Sequence, residues 1–331
     1  KKTVKILILK FGALGDVVMA TPLIEAIQIA HRSDEIALLT SPPFAPVFSS
    51  WQGLSVHAFE RKGWRNTLSV IRFIREGQFD RIYDLQGNDR TSVLCALSGA
   101  PERVGNHTRY PYTHHPVDKW RGEVHIFERM KHVLKSAGVE VQRNAPILPA
   151  TVKSLEAVKQ WISSHSNGEN LVGLHASASA LRTDKCWPNY EALAKKLCAH
   201  GFTPVWLGAS GDKQKNQASA RRSGGIDTSG KFNIPELALF AKALKFAITN
   251  DSGPMHVLSA ANIPIYGLFG PSDWRRNHAL GQENNVIPSP ADSGDIAAIT
   301  TNLVWQRLVA DQRVPKLDAG KAPSISLQQH P

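Results

Sequence analysis

Short apolar runs alternate with longer amphipathic stretches along most of the chain. Residues 4–9, Val-Lys-Ile-Leu-Ile-Leu, read as a buried strand: short, apolar and followed by glycines. Residues 17–30 carry apolar side chains at helical spacing, with Asp16 where an N-cap belongs. Pro22 lies inside that stretch, so a kink or a later start is expected. Residues 36–40 give a second strand, ended by Pro42-Pro43. Residues 64–76 read as helix, 81–85 as a third strand running into Gln86-Gly87, and 124–137 as another helix. Residues 140–153, with Pro146 and Pro149, have the character of a linker, and helix resumes at about 153–164. The alternation then starts again. Strands are expected at 171–174, 203–208, 246–249 and 264–269, and helices at 190–200, 235–244, 254–261 and 296–311.

This order predicts an α/β chain of two doubly wound domains, each a parallel sheet with helices on both faces. The expected boundaries are 1–150 and 151–312, with a polar, loosely held tail at 313–331. Ligands of such sheets bind beyond the carboxyl ends of the strands, so two sheets facing each other make a cleft there.

Composition narrows the choice. The 331 residues are 42% apolar, enough for two cores. No stretch approaches the roughly 18 apolar residues of a membrane span, and the first ten residues are too short and too charged for a signal peptide. Cys95, Cys186 and Cys198 form no CxxC pair and no metal-ligand spacing, which fits reduced thiols. No cofactor and no metal site are expected. The formal charge is +11, which favours anionic partners. It is shared about equally between the halves, whereas an arm gripping nucleic acid would be lopsided.

Three places have the residue types for chemistry. In the loop of residues 10–16, Gly12 and Gly15 let backbone approach a ligand closely, and the helix behind them points its N-terminus at the cleft. Asp16 there fits either a helix cap or a general base facing a hydroxyl. The spacing is not GxGxxG, so a dinucleotide fingerprint is not supported. The second place is residues 175–188, where Ser177, Ser179 and Lys185 suit a diphosphate or simply form a solvated loop. The third is Asp251-Ser252-Gly253-Pro254-Met255-His256. Ser252 and Gly253 bring N–H groups to a helix start, and His256 either faces a ligand or packs.

In combination, order and spacing these segments resemble the ADP-heptose:lipopolysaccharide heptosyltransferase family, glycosyltransferase family 9. Lys-Phe-Gly-Ala-Leu-Gly-Asp-Val-Val at 10–18 is similar to the family's opening loop, Asp84-Leu85-Gln86-Gly87 to its D-x-Q-G segment, and residues 122–129 to one of its helix starts. Asp-Ser-Gly-Pro-Met-His at 251–256 resembles its D-[ST]-G-x-x-H signature, and Gly-Leu-Phe-Gly-Pro-Ser at 267–272 the strand and turn that follow. The likeness runs from about residue 4 to 304.

The resemblance implies a GT-B fold, with two Rossmann-like domains facing across a cleft: an acceptor domain, then a nucleotide-sugar domain. It implies inverting transfer of heptose from ADP-heptose to a hydroxyl of the lipopolysaccharide inner core, without an essential metal. Asp16 matches the proposed base, and Lys185 the group that stabilises the departing ADP. Asp251, Ser252, Gly253 and His256 match donor-site positions. Asp212 falls near the nucleoside and Phe232 where an apolar side chain packs on adenine. Where some members carry adjacent threonines this chain has Ala180 and Leu181, so Ser177 and Ser179 are the expected hydroxyls. On the acceptor side, Gly12, Gly15, Gln86 and the basic residues Arg61, Lys62 and Arg65 are expected to meet an anionic lipid-linked saccharide. The enzyme would then work in the cytoplasm, peripherally at the inner-leaflet membrane surface, with no nucleic-acid partner. Two other readings remain open from the residues: a related transferase using another nucleotide sugar or a non-lipid acceptor, and a non-catalytic basic nucleotide- or nucleic-acid-binding protein.

Overall fold

The computed structural model describes residues 3–60, 63–118, 124–166, 169–179 and 181–315. Of the expected contacts, Arg61, Lys62 and Ala180 lie outside these residues, as do Gly122 and Glu123 of the likeness and residues 316–331. The first half runs β1 (Lys5–Leu9), α1 (Leu14–Ala30), β2 (Glu35–Thr40), β3 (Ser55–Ala58), α2 (Trp64–Gly77), β4 (Arg81–Asp84), α3 (Asp89–Leu97), β5 (Glu102–Val104) and α4 (Ile126–Ser136). The second half runs α5 (Val152–His165), β6 (Leu171–His175), α6 (Tyr190–Ala199), β7 (Thr203–Trp206), α7 (Lys213–Ser223), β8 (Ile226–Asp227), α8 (Ile234–Ala241), β9 (Phe246–Asn250), α9 (Gly253–Ser259), β10 (Ile265–Phe269), α10 (Trp274–Asn277), β11 (Val286–Pro288) and α11 (Thr301–Ala310).

The strands form two sheets, ordered β3-β2-β1-β4-β5 and β11-β10-β9-β6-β7-β8, with every pairing parallel. Helices cover both faces, which is why the central strands are apolar without alternation: Ile6, Leu7, Ile8 and Leu9 are all fully buried. The two doubly wound sheets expected from the alternation are present.

Three local expectations change. Helix α1 starts at Leu14 and runs through Pro22 without a late start. The Val18 carbonyl, which Pro22 cannot serve, accepts instead from the buried Thr21 hydroxyl at 2.6 Å. The linker expected at 140–153 packs closely onto the first helix: Ile147 donates its N–H to Thr21 Oγ1 at 2.9 Å, and Leu148 packs between α1 and α8. The closing helix breaks near Thr300, whose side chain caps α11, and Val314 beyond it is buried in the second core.

The halves meet along an apolar seam in which Val18 of α1 packs with Ala238 of α8 and Val257 of α9. This seam lays the N-termini of α1 and α9 against each other.

Candidate active site

Each sheet reverses its winding once, between β1 and β4 in the first and between β6 and β9 in the second. Crevices open at the carboxyl ends of such strand pairs, and here the two crevices face each other.

On the first side, the D-x-Q-G segment builds a clamp. Asp84 is fully buried; its Oδ1 accepts the N–H groups of Gln86 at 3.1 Å and Gly87 at 2.9 Å, and its Oδ2 accepts the Tyr112 hydroxyl at 2.5 Å. Burial pushes its carboxyl above the usual range. The turn so formed presents Gln86, whose Oε1 accepts from the N–H groups of Phe11 at 2.9 Å and Gly12 at 3.2 Å. Gln86 thus holds the opening loop in place. Buried Lys10 ties the same strand ends by donating to the Leu85 carbonyl at 3.1 Å. Gly12 sits at φ +148°, and a Cβ there would lie 2.5 Å from the Phe44 ring, so a side chain is excluded twice over.

Asp16 is not the N-cap. That position belongs to Ala13, and Asp16 is the third residue of α1. The helix begins early because Leu14 and Gly15 are wedged against α9. A Cβ on Gly15 would come within 2.5 Å of His256 Cδ2, and one on Gly253 within 2.9 Å of Leu14. Asp16 is half-buried and enters no hydrogen bond or ion pair among the described residues.

On the second side, Asn250 at the end of β9 organises the loop after β6. Its Oδ1 accepts the Trp187 N–H and the Tyr190 hydroxyl, each at 3.1 Å, and its Nδ2 donates to the Ser177 carbonyl at 3.3 Å. The short 3₁₀ helix Thr183–Lys185 is thereby pinned, and Lys185 Nζ meets Asp251 Oδ2 at 2.5 Å. The same oxygen accepts the Ser272 hydroxyl at 2.5 Å. Ser252 Oγ lies 3.3 Å from His175 Nδ1.

A cleft of about 300 Å³ lies between the two sides. Asp16 and Gly15 line it from α1; Ser179, Lys185, Asp251, Ser252, Gly253 and His256 line it from the second domain. The residues expected at the site are otherwise placed as follows. Ser177 is buried behind the loop. Gln86 and Gly12 support the loop from below. Asp212 accepts the Ala209 N–H at 2.8 Å on the loop after β7. Phe232, after β8, stacks on Phe240 at 4.8 Å between ring centres. Arg65 is exposed on α2, its guanidinium 5.4 Å from the centre of the Trp64 ring. Sequence reasoning missed Asn250 and Ser272. Asn250 closes β9 at the switch point and Ser272 sits in the turn after β10, the neighbouring strand, which is the available signal.

Burial holds three imidazoles neutral. His175, His256 and His125 are each lowered to about 4, in every case first by burial. His125 accepts the Phe127 N–H on Nδ1 at 3.2 Å and so donates from Nε2 to the His278 carbonyl at 2.9 Å, across the seam. Their unfolded value is near 6.5, so the unfolded chain binds more protons between pH 4 and 6.5. The stability these groups contribute is complete above about pH 6.5 and is lost as pH falls toward 4. The magnitude reaches about 3 kcal/mol for each fully buried ring. Chemical denaturation at pH 7, 5.5 and 4.5 checks this; a midpoint unchanged across that range contradicts it.

Comparison with known proteins decides the family. The model for glycosyltransferase family 9 (heptosyltransferase) matches residues 67–296. The chain belongs to glycosyltransferase family 9. This family 9 chain is 22% identical over 321 residues to lipopolysaccharide heptosyltransferase 2 of Escherichia coli strain K12, covering 86% of this chain and 87% of that protein. It is 20% identical to the lipopolysaccharide core heptosyltransferase OpsX of Haemophilus influenzae, covering 85% and 83%. Among solved structures, a family 9 glycosyl transferase from Veillonella parvula superposes with a TM-score of 0.79 at 22% identity, covering 93% and 96%. The Escherichia coli heptosyltransferase WaaC with ADP superposes with a TM-score of 0.72 at 18% identity, covering 93% and 100%. The fold is therefore GT-B, and the chain is a glycosyltransferase. The matched stretch takes in Lys185, Asp251 and His256; the loop carrying Asp16 precedes it.

Proposed function

We propose that this glycosyltransferase moves a heptose from ADP-heptose to a hydroxyl of the lipopolysaccharide inner core, on a Kdo or a heptose residue. The observation that carries the reading is the cleft itself. An unbonded carboxylate, Asp16, faces it from one domain, and a lysine fixed at a helix start, Lys185 beside Ser252 and Gly253, faces it from the other. Asp16 takes the proton from the acceptor hydroxyl as its oxygen attacks the anomeric carbon. The bond from that carbon to the phosphate oxygen breaks with inversion, and ADP departs. Lys185, with the first N–H groups of α9, stabilises the growing charge on the diphosphate. Neutral His256 lines the same face and has one N–H to offer.

In this reading the nucleoside runs from the switch point over the ends of β7 and β8, with Asp212 meeting the ribose hydroxyls and Phe232 the adenine. Ser179 flanks the diphosphate, while the buried Ser177 supports the loop from behind. Relatives named as lipopolysaccharide heptosyltransferases, and the likeness to WaaC with ADP, support this donor. No helix among the described residues is long and apolar enough to cross a membrane. Trp64 and Leu68 stand 69% and 55% exposed on α2 beside Arg65. That face suits a peripheral position at the anionic cytoplasmic leaflet and an anionic lipid-linked acceptor, and the sequence just ahead of α2 adds two basic residues, Arg61 and Lys62.

Calorimetry with ADP, UDP and GDP, followed by mass spectrometry of core lipids incubated with ADP-heptose, tests the reading. ADP is expected to bind best and the lipid to gain one heptose. Preference for UDP or GDP, or a lipid left unmodified, overturns it.

A further inference from the structure

Beside Asp16, the seam between the domains carries two positive side chains that no hydrogen bond or ion pair among the described residues engages. Helix α4 meets the α10 segment through the His125–His278 hydrogen bond, with the two rings 4.3 Å apart. Arg129 lies four residues after His125 and so on the same face of α4. Arg276 lies two residues before His278. The contact therefore brings one guanidinium from each domain to the same place. Asn277, next to Arg276, lines the cleft together with Asp16. Both arginines are half-buried. The Nε of Arg129 and the Nε of Arg276 are each sealed from solvent without a hydrogen-bond partner.

Buried donors of this kind nearly always find an acceptor. An uncompensated buried charge is costly, and two together are more so. Their proximity is also felt electrostatically. Burial lowers the pKa of Arg129 most, the charge of Arg276 lowers it further, and Asp16 acts in the opposite sense. Asp16 thus stands near the pair without bonding to it. An oxyanion placed between the guanidiniums would satisfy both donors and relieve the repulsion, and planar guanidiniums are well shaped for such a group.

We propose that Arg129 and Arg276 form an oxyanion site for the acceptor, in which one arginine from each domain grips a carboxylate or phosphate and presents the neighbouring hydroxyl to Asp16. The inference rests on the reading of Asp16 as the base. It adds a specificity element: an acceptor lacking an anionic group near its reactive hydroxyl is a poor substrate. The site is also distinct from the diphosphate seat, because Lys185 and Ser252 belong to the β6–β9 switch point, whereas Arg129 comes from the first domain.

The test uses Arg129→Gln, Arg276→Gln and the double variant, with a lipid A precursor bearing Kdo as acceptor. Its carboxylate methyl ester and its dephosphorylated form serve as the two control acceptors. Each single substitution is expected to raise the acceptor KM about tenfold or more, with the ADP Kd unchanged. Thermal midpoints are expected to stay level or rise, because a repulsion is removed; a merely structural pair would lower them. The variants should also lose the preference for the charged acceptor. A vanished penalty on the methyl ester assigns the site to the carboxylate, and one on the dephosphorylated form assigns it to phosphate. An unchanged KM, or equal penalties on all three acceptors, overturns the proposal, and so does a fall in ADP affinity. Failure of the base reading has a separate signature, an Asp16→Asn enzyme that still turns over, and that result leaves the KM comparison intact.

Discussion

Asp16→Asn is expected to lower turnover by about 10²–10⁴-fold while leaving the ADP Kd unchanged. The argument is one of availability. Among the described residues, Asp16 and Asp251 are the carboxylates lining the cleft. Asp251 Oδ2 is engaged by Lys185 and by Ser272, each at 2.5 Å. That oxygen is not free to meet an acceptor hydroxyl. Asp16 has no such partner, and it projects from the first turn of α1 toward the space where an acceptor must lie. Asparagine keeps its size and leaves the packing of Gly15 on His256 untouched, so a loss of rate reports the proton transfer rather than the helix start. Single-turnover rates at saturating acceptor, with calorimetry of ADP alongside, provide the measurement. Turnover within tenfold of the parent would remove the assignment.

Lys185→Ala is expected to weaken ADP binding by about 10–100-fold and to lower turnover by a further 10²-fold or more. Two effects combine. The diphosphate loses its fixed cation, and Asp251, with its side chain only 8% exposed, loses the ion pair that neutralises it. The stranded carboxylate then repels the phosphates. The double variant Lys185→Ala/Asp251→Asn is therefore expected to recover part of the ADP affinity but little of the rate, because the leaving group still departs without a cation. Unchanged affinity and rate in the single variant would exclude Lys185 from the donor site.

The division between what the chain's sequence reveals and what it conceals follows the sheets. The central strands β1, β2, β4, β6, β7, β9 and β10 are legible because helices bury both their faces and their residues are apolar in unbroken runs. The strands that escape are β3, β5, β8 and β11, and these are the four sheet edges. An edge strand has one neighbour and open flanks, so Glu102-Arg103-Val104 or Ile226-Asp227 satisfies it without an apolar run. Helix α7 is hidden for a different reason. Its inward face is polar, with Asn216 donating to the Leu207 carbonyl and Ser219 to Glu191, so the usual apolar spacing is missing. At the site, the glycines, Lys185 and the Asp-Ser-Gly-Pro-Met-His turn are visible as motifs. The Lys185–Asp251 pair joins residues 66 positions apart. Only the adjacency of β6 and β9 brings them together, and a linear pattern does not carry that.

Asn250 has an implication for how this site is able to change over evolutionary time. It anchors Trp187, Tyr190 and Ser177 from a buried strand end, so both ends of the loop that carries Lys185 are held from the core. Leu181, almost fully exposed, is free to change while the lysine keeps its place. Substitution of Asn250 itself has no such freedom. The lineage is free to experiment in the loop and is held at the strand.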